Sequence, residues 1–208
     1  MHVKARVKDK KLVSEKRRLI IDGAIKVFKK KGYHKATIRE IAKEAKISPG
    51  SVYDYFHSKD DILYLFFDNY ACAFFEKLGS LTPRDNPAER LEVAYQAVLD
   101  VLMELQDQVM LAYTQARYVK KKYLREILHK ESEIIEYFQK IIEEMGMGPL
   151  DALMEANFLV FSGVFGVLRR WALKRHFRDE EIIEFLVQNQ MKAIVQRIQK
   201  KNSNRRLS

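Results

Sequence analysis

Within residues 37–59, Thr37, Arg39, Ser48, Pro49, Gly50, Ser51, Tyr53, Tyr55 and Lys59 are side chains suited to gripping a polyanion rather than breaking a bond. A hydroxyl beside a backbone donor at a helix start suits a phosphate oxygen, and Thr37 can offer both groups. Arg39, one turn further on, can reach a base edge or a phosphate. Gly50 lets the backbone come close to a groove, and Ser51 is short enough to touch a base or a thymine methyl. Tyr53 and Tyr55 combine an apolar ring with a hydroxyl donor for sugar and phosphate. Lys59 falls in the first turn of an expected helix, where a cation opposes the helix dipole by about 0.3–1 kcal/mol, and a phosphate against it would explain the charge. His57 is a weaker candidate, a surface residue near the backbone.

Catalysis is not indicated. The histidines (His2, His34, His57, His129, His176) are scattered, and neither a serine nor Cys72 stands in a nucleophile motif. There is no glycine-rich phosphate loop and no HxxxH spacing, so no cofactor and no metal are expected. Charge points the same way as the residue types. Residues 1–60 hold 17 basic and 7 acidic side chains, whereas the other 148 residues hold 21 of each, so the whole net charge of +10 lies around the candidate residues. A solubility bias spread over the surface would not be so confined. The alternative is a non-specific nucleic-acid-binding protein, which would account for the charge alone.

Two short helices must position these side chains. Thr37 and Glu40 have capping-box spacing, and Ile38, Ile41, Ala42 and Ala45 form one apolar face behind them. Ser48 caps a second helix with Pro49 in its first turn. Val52 and Phe56 face inward on it, leaving Gly50, Ser51, Tyr53, Asp54 and Tyr55 towards solvent or a partner. Ser58 and Asp61 repeat the cap for the next helix. Such a pair at a sharp turn is a helix-turn-helix, able to lay its second helix in the major groove. Ahead of it, residues 17–31 form a helix with Ile20, Ala24, Val27 and Phe28 buried and Gly32 as C-cap. Residues 1–16 are expected to be a lysine-rich mobile arm, either folding against DNA by phosphate contact or minor-groove insertion or remaining a solvated tail.

Residues 17–63 resemble the DNA-binding region of the TetR (tetracycline-repressor-like) family of transcriptional regulators. The match runs through Arg18, Ala24, Phe28, Gly32-Tyr33, Thr37-Ile38, Ile41-Ala42, Ser48, Gly50, Val52-Tyr53, Tyr55-Phe56, Ser58-Lys59 and Leu63. In that family the residues matching Thr37, Arg39, Pro49, Gly50, Ser51, Tyr53, Tyr55 and Lys59 commonly contact DNA. Two positions depart from the pattern or from what the groove favours. Lys46 stands in the turn where the family usually has glycine, at a cost of about 1 kcal/mol if its φ is positive. Asp54 puts a carboxylate on the groove face, where it could accept from a cytosine amino group or restrain Arg39.

The remainder is expected to be helical, giving an all-α chain of about nine helices. Residues 1–60 are assigned to the DNA-binding domain with its arm, 61–201 to a ligand-binding and dimerisation bundle, and 202–208 to a disordered tail. Helices are expected over about 59–79, 87–105, 108–117, 122–145, 149–175 and 179–200, with ProArgAspAsnPro at 83–87 as the clearest linker. The apolar runs near 62–75 and 158–168 are too short or interrupted to span a bilayer, and no secretory signal is seen. One cysteine suits a reducing cytoplasm. The helix at 149–175 is apolar on nearly every side, with Ser162, Gly163 and Gly166 allowing close helix approach.

The resemblance implies a homodimer through the helices at 149–175 and 179–200, presenting two reader helices to a palindromic operator with half-sites about 34–36 Å apart or more. It also implies repression as the usual mode and a small-molecule effector that moves the fourth helix. The expected lining is Phe66, Phe67, Tyr70, Phe74, Tyr95, Leu99, Met103, Tyr113, Phe138, Asn157, Phe158, Phe161, Phe165 and Trp171, with Arg117 and Lys121 on a cationic rim. Many aromatics and few polar groups favour a hydrophobic effector, either a fatty acyl-CoA or a hydrophobic drug.

Overall fold

The computed structural model describes residues 3–205, with side chains to Lys200 and at Ser203. Among these residues there are nine α-helices, one 3-10 turn and no strand. The helices are α1 (Lys10–Lys35), α2 (Ile38–Glu44), α3 (Pro49–Tyr55), α4 (Lys59–Gly79), α5 (Pro87–Glu104), α6 (Gln106–Gln115), α7 (Lys121–Glu144), α8 (Pro149–Leu173) and α9 (Asp179–Arg205); the 3-10 turn is Ala116–Tyr118. The helix α9 runs through residues 202–205, the first part of the expected disordered tail, while 206–208 lie outside the described residues.

The expected arm is corrected by α1, which begins at Lys10, seven residues before the expected start at residue 17. Asp9 caps it, its carboxylate accepting from the Lys11 and Leu12 amides at 2.9 and 3.1 Å. Residues 10–16 are therefore helical rather than part of a mobile arm. At the other end Gly32 has φ 77°, which breaks the helix where a C-cap was expected.

The chain divides into two compact units, one of Met1–Ala71 with Met110–His129 and the other of Cys72–Val109 with Lys130–Ser208. In the first, α1 lies across α2 and α3 over a core of Ile20, Ala24, Phe28, Ile41, Val52, Phe56, Ile62 and Leu63. Contact is close at Gly23, where an added Cβ would sit 2.9 Å from the Ala45 nitrogen and 3.0 Å from the Ile41 carbonyl oxygen. In the second unit α5 packs against α8 and α9. The expected close approach is made within this chain: a Cβ on Gly163 would lie 2.7 and 2.8 Å from the methyl tips of Leu102 and Leu99. Arg170 ties α8 to Asp179 at the start of α9 (2.8 and 2.5 Å), and Arg197 of α9 pairs with the buried Glu155. The segment at 83–87 joins α4 to α5 inside this unit.

The helix α8 is buried on one side only, contrary to the expectation that it is surrounded. Ala152, Ala156, Leu159, Gly163 and Val167 face the chain, while Leu150, Met154, Phe158, Phe161 and Phe165 on the opposite side are exposed. By length and composition alone it is apolar enough to cross a membrane, a test that a core helix also passes, and half of its apolar window is buried within the protein.

Candidate nucleic-acid interface and effector site

The first cap of the reader forms as spaced. The Thr37 hydroxyl accepts from the Glu40 amide at 3.3 Å, and the Glu40 carboxylate accepts from the Thr37 amide at 3.1 Å and its hydroxyl at 2.8 Å. Glu40 also pairs with Lys31. That ammonium, with the Thr37 hydroxyl, holds the Glu40 carboxyl down at about 2. Thr37 and Arg39 are both exposed at the outer edge.

The turn that follows has a Schellman geometry, with the Ile47 amide donating to the Ala42 carbonyl (3.0 Å) and the Lys46 amide to the Lys43 carbonyl (3.2 Å). This pattern requires a left-handed residue after the cap, and Lys46 takes it with φ 56°. Ser48 then caps α3, accepting from the Ser51 amide at 3.1 Å, with Pro49 as the first helical residue. Pro49 and Gly50 are exposed and Tyr53 is 44% exposed, with Ser51 half-buried between them. A Cβ on Gly50 would meet only the Ser48 hydroxyl, at 3.9 Å, so nothing within the protein requires glycine there.

Two expectations for this surface are corrected. Tyr55 does not face outward: it is 7% exposed and packs in the core with Val52 and Phe56. The inward set on α3 is therefore i, i+3 and i+4, the usual buried stripe. Lys59 is occupied within the chain, its ammonium donating to the carbonyls of Tyr33 (2.7 Å), Ala36 (3.0 Å) and His34 (3.3 Å) and lying 4.3 Å from the centre of the Tyr33 ring. These carbonyls, with Asp60 beside it, explain a cation at the start of α4 without any phosphate. Burial lowers its pKa.

Sequence reasoning placed Asp61 in a cap with Ser58, which forms at 3.2 Å, but missed what the acidic pair after Lys59 holds. Asp60 accepts from the Tyr33 hydroxyl and pairs with Lys120 at 2.6 Å. Asp61, almost fully buried, accepts from the Tyr123 hydroxyl and from the His57 amide at 3.1 Å. Tyr64 donates to Glu126 at 2.7 Å, and its ring stacks on that of Tyr123. Residues 110–129 are thereby fastened to the start of α4. The adjacency of two acids to a lysine was visible in sequence, but their partners lie far along the chain.

The expected effector lining is distributed between the units. In the first, Phe66 and Phe67 are core, Tyr70 is half-buried, Tyr113 is exposed, and the Arg117 guanidinium lies over the Tyr118 ring at 4.7 Å. In the second, Phe74, Tyr95, Leu99, Met103 and Phe138 are buried, and the Tyr95 hydroxyl meets that of Ser162 at 2.7 Å. Asn157 is half-buried and donates to the Leu153 carbonyl at 2.8 Å. The placement of Phe158, Phe161, Phe165 and Trp171 as lining is corrected: the three phenylalanines are 39–59% exposed on the outer side of α8, because the small residues of that helix take the inner side, and Trp171 is 61% exposed near the helix end with the Arg169 and Arg175 guanidiniums over its ring. Two clefts in the second unit, of about 420 and 280 Å³, include none of the expected lining. The larger is acidic, with Glu92, Asp100, Glu180 and Glu184 on its walls.

Comparison with known proteins agrees with the reader geometry. Residues 20–64 match the family described as bacterial regulatory proteins, tetR family. Over 189 residues the chain is 33% identical to the HTH-type transcriptional regulator HbdR of Aromatoleum sp. (strain CIB), spanning 88% of this chain and 82% of that protein. The protein belongs to the TetR family of transcriptional regulators. Its fold is shared with a tetR-family regulatory protein from Rhodococcus RHA1 (TM-score 0.76, 21% identity, 86% of this chain and 96% of that one). It is also shared with AibR in complex with isovaleryl coenzyme A and operator DNA (TM-score 0.66, 15% identity, 83% and 96%). As a TetR regulator the chain carries its DNA-binding motif in α2 and α3.

Proposed function

We propose that this regulator is a cytoplasmic repressor that binds a palindromic operator as a homodimer and is released by a hydrophobic effector. The observation that carries this reading is the outer face of α3. Pro49, Gly50 and Tyr53 stand clear of the core on a helix capped at its start, within the segment that holds all of the net positive charge. Thr37, Arg39, Ser48 and Ser51 complete the contact surface, and Tyr55 and Lys59 support it from behind. Residues 1–60 do the reading and 61–201 the regulation, a division of labour that need not coincide with the packing units.

The dimer is proposed through α8 and α9. Exposed Phe158, Phe161, Phe165 and Phe185 form a large apolar surface of the kind that marks a protein interface. For the effector, a fatty acyl-CoA is favoured over a drug because AibR, of the same fold, was solved with isovaleryl coenzyme A and because Arg117, Lys121 and Lys122 offer cations to its phosphates. The acid pair that fastens residues 110–129 to α4 gives an effector a physical route to the reader.

Selection of bound sequences from random duplex DNA tests the first part. A regulator recovers one palindrome and prefers it over bulk DNA by about 10³-fold or more at physiological salt; recovery of no preferred sequence refutes the reading. A thermal shift with acyl-CoA and none with the free fatty acid supports the effector, and no shift with either ends it.

A further inference from the structure

The segment before α1 lies on the first unit as an ordered strip with a two-residue alternation. Val3, Ala5 and Val7 are half-buried, the valines packed against the core, while Lys4, Arg6 and Lys8 between them are exposed. The strip is tied to the C-terminal end of α3. The Arg6 amide donates to the Asp54 carbonyl at 2.8 Å. Arg17 of α1 donates through Nη2 to the carbonyls of Val3 (2.5 Å) and Tyr55 (3.2 Å), and through Nε to Tyr55 again (3.3 Å). The last carbonyls of a helix have no partner inside it, so Arg6 and Arg17 close the end of α3, where a cation also suits the dipole. Three free cationic heads are thus anchored beside the helix whose outer face carries Gly50, Ser51 and Tyr53.

We propose that residues 3–8 are a second DNA-contacting element, a cationic strip that Arg17 fixes against α3 so that Lys4, Arg6 and Lys8 meet the phosphodiester backbone beside the bases α3 reads. The inference rests on the reading of α3 given above and adds to it the contacts, their target and the residue that positions them. Because the strip is ordered in the folded protein, its ordering cost is met before DNA arrives. Phosphates carry no base identity, so the strip supplies affinity and register and leaves sequence preference to α3.

The test is the salt dependence of binding by the full-length protein, on the selected operator and on an unrelated duplex. Each phosphate contact contributes about 0.9 to the slope of log affinity against log salt, so the combined Lys4→Ala, Arg6→Ala and Lys8→Ala variant loses about 2–3 from that slope with its operator preference unchanged. A wild-type slope in that variant overturns the proposal. Altered preference at flanking A·T pairs also overturns it, in favour of minor-groove insertion. Arg17→Gln keeps the strip's charges: the Arg6 amide exchanges fast, affinity falls at every salt concentration, and the slope stays near wild type. An Arg6 amide still protected in Arg17→Gln removes Arg17 as the positioning residue; Arg17→Met, which has no donor, gives the same readout if the glutamine variant does not fold. A protein without any operator preference sinks the reading of α3 alone, and the slope on unrelated duplex still decides the strip.

Discussion

At the residue scale, the reader depends on side chains whose partners are backbone atoms. Lys46 at φ 56° holds a conformation that costs an L-residue about 1–2 kcal/mol and a glycine almost nothing. Glycine also loses more freedom on folding, so Lys46→Gly is expected to raise stability by a net of about 0.5–1 kcal/mol, read by urea denaturation. Glu40 titrates at about 2 because Lys31 and Thr37 favour its carboxylate. Its contribution is present above the ordinary glutamate value near 4.5 and fades as pH falls towards 2. The melting-temperature gap between wild type and Glu40→Gln should therefore narrow across that window. Both caps were legible in sequence because each is settled within four residues. Tyr55 and Lys59 were not, since the facing of a seven-residue helix depends on what packs against it, and the carbonyls that hold Lys59 come from the end of α1.

At the scale of elements, two glycines separate packing from recognition. A methyl group on Gly23 would press on the Ala45 nitrogen and the Ile41 oxygen, backbone atoms that cannot swing aside. Gly23→Ala should therefore destabilise the first unit by about 1–3 kcal/mol despite the better helix propensity of alanine. Gly50→Ala meets open space and should leave chemical denaturation unchanged or improved by up to about 1 kcal/mol, while weakening operator binding in a gel-shift titration. Equal loss of stability in both variants would contradict this. Helix positions from α4 to α8 were legible from periodicity and from Pro87, Gly148 and Pro149. The inner side of α8 was not, because a helix apolar all round has no stripe to read; its small residues, Ala152, Ala156 and Gly163, were the available signal.

For the whole molecule, the outward phenylalanines of α8 bear on assembly. Phe158 and Phe165 are 59% and 57% exposed, so charging them leaves each chain's core untouched. The double variant Phe158→Glu, Phe165→Glu is expected to retain wild-type helicity by circular dichroism but sediment as a monomer. Two lost anchors of about 2 kcal/mol each imply self-association weaker by at least about 100-fold. Operator affinity should fall with it, since a single reader spans one half-site. A dimeric double variant would move the interface elsewhere. Family membership and the location of the reader were readable from one stretch of sequence. The fastening of residues 110–129 to α4 was not, because it joins side chains about sixty positions apart.

The tyrosines of that fastening give the protein a built-in optical gauge. Burial and neighbouring carboxylates raise the phenol pKa of Tyr33, Tyr64 and Tyr123 well above the ordinary value of 10. Stability from these phenols is complete below the unfolded value and is lost as pH climbs towards the folded ones. In an alkaline titration followed by ultraviolet absorbance, phenolate from these three rings should emerge later than from exposed tyrosines, as their hydrogen bonds to Asp60, Glu126 and Asp61 give way.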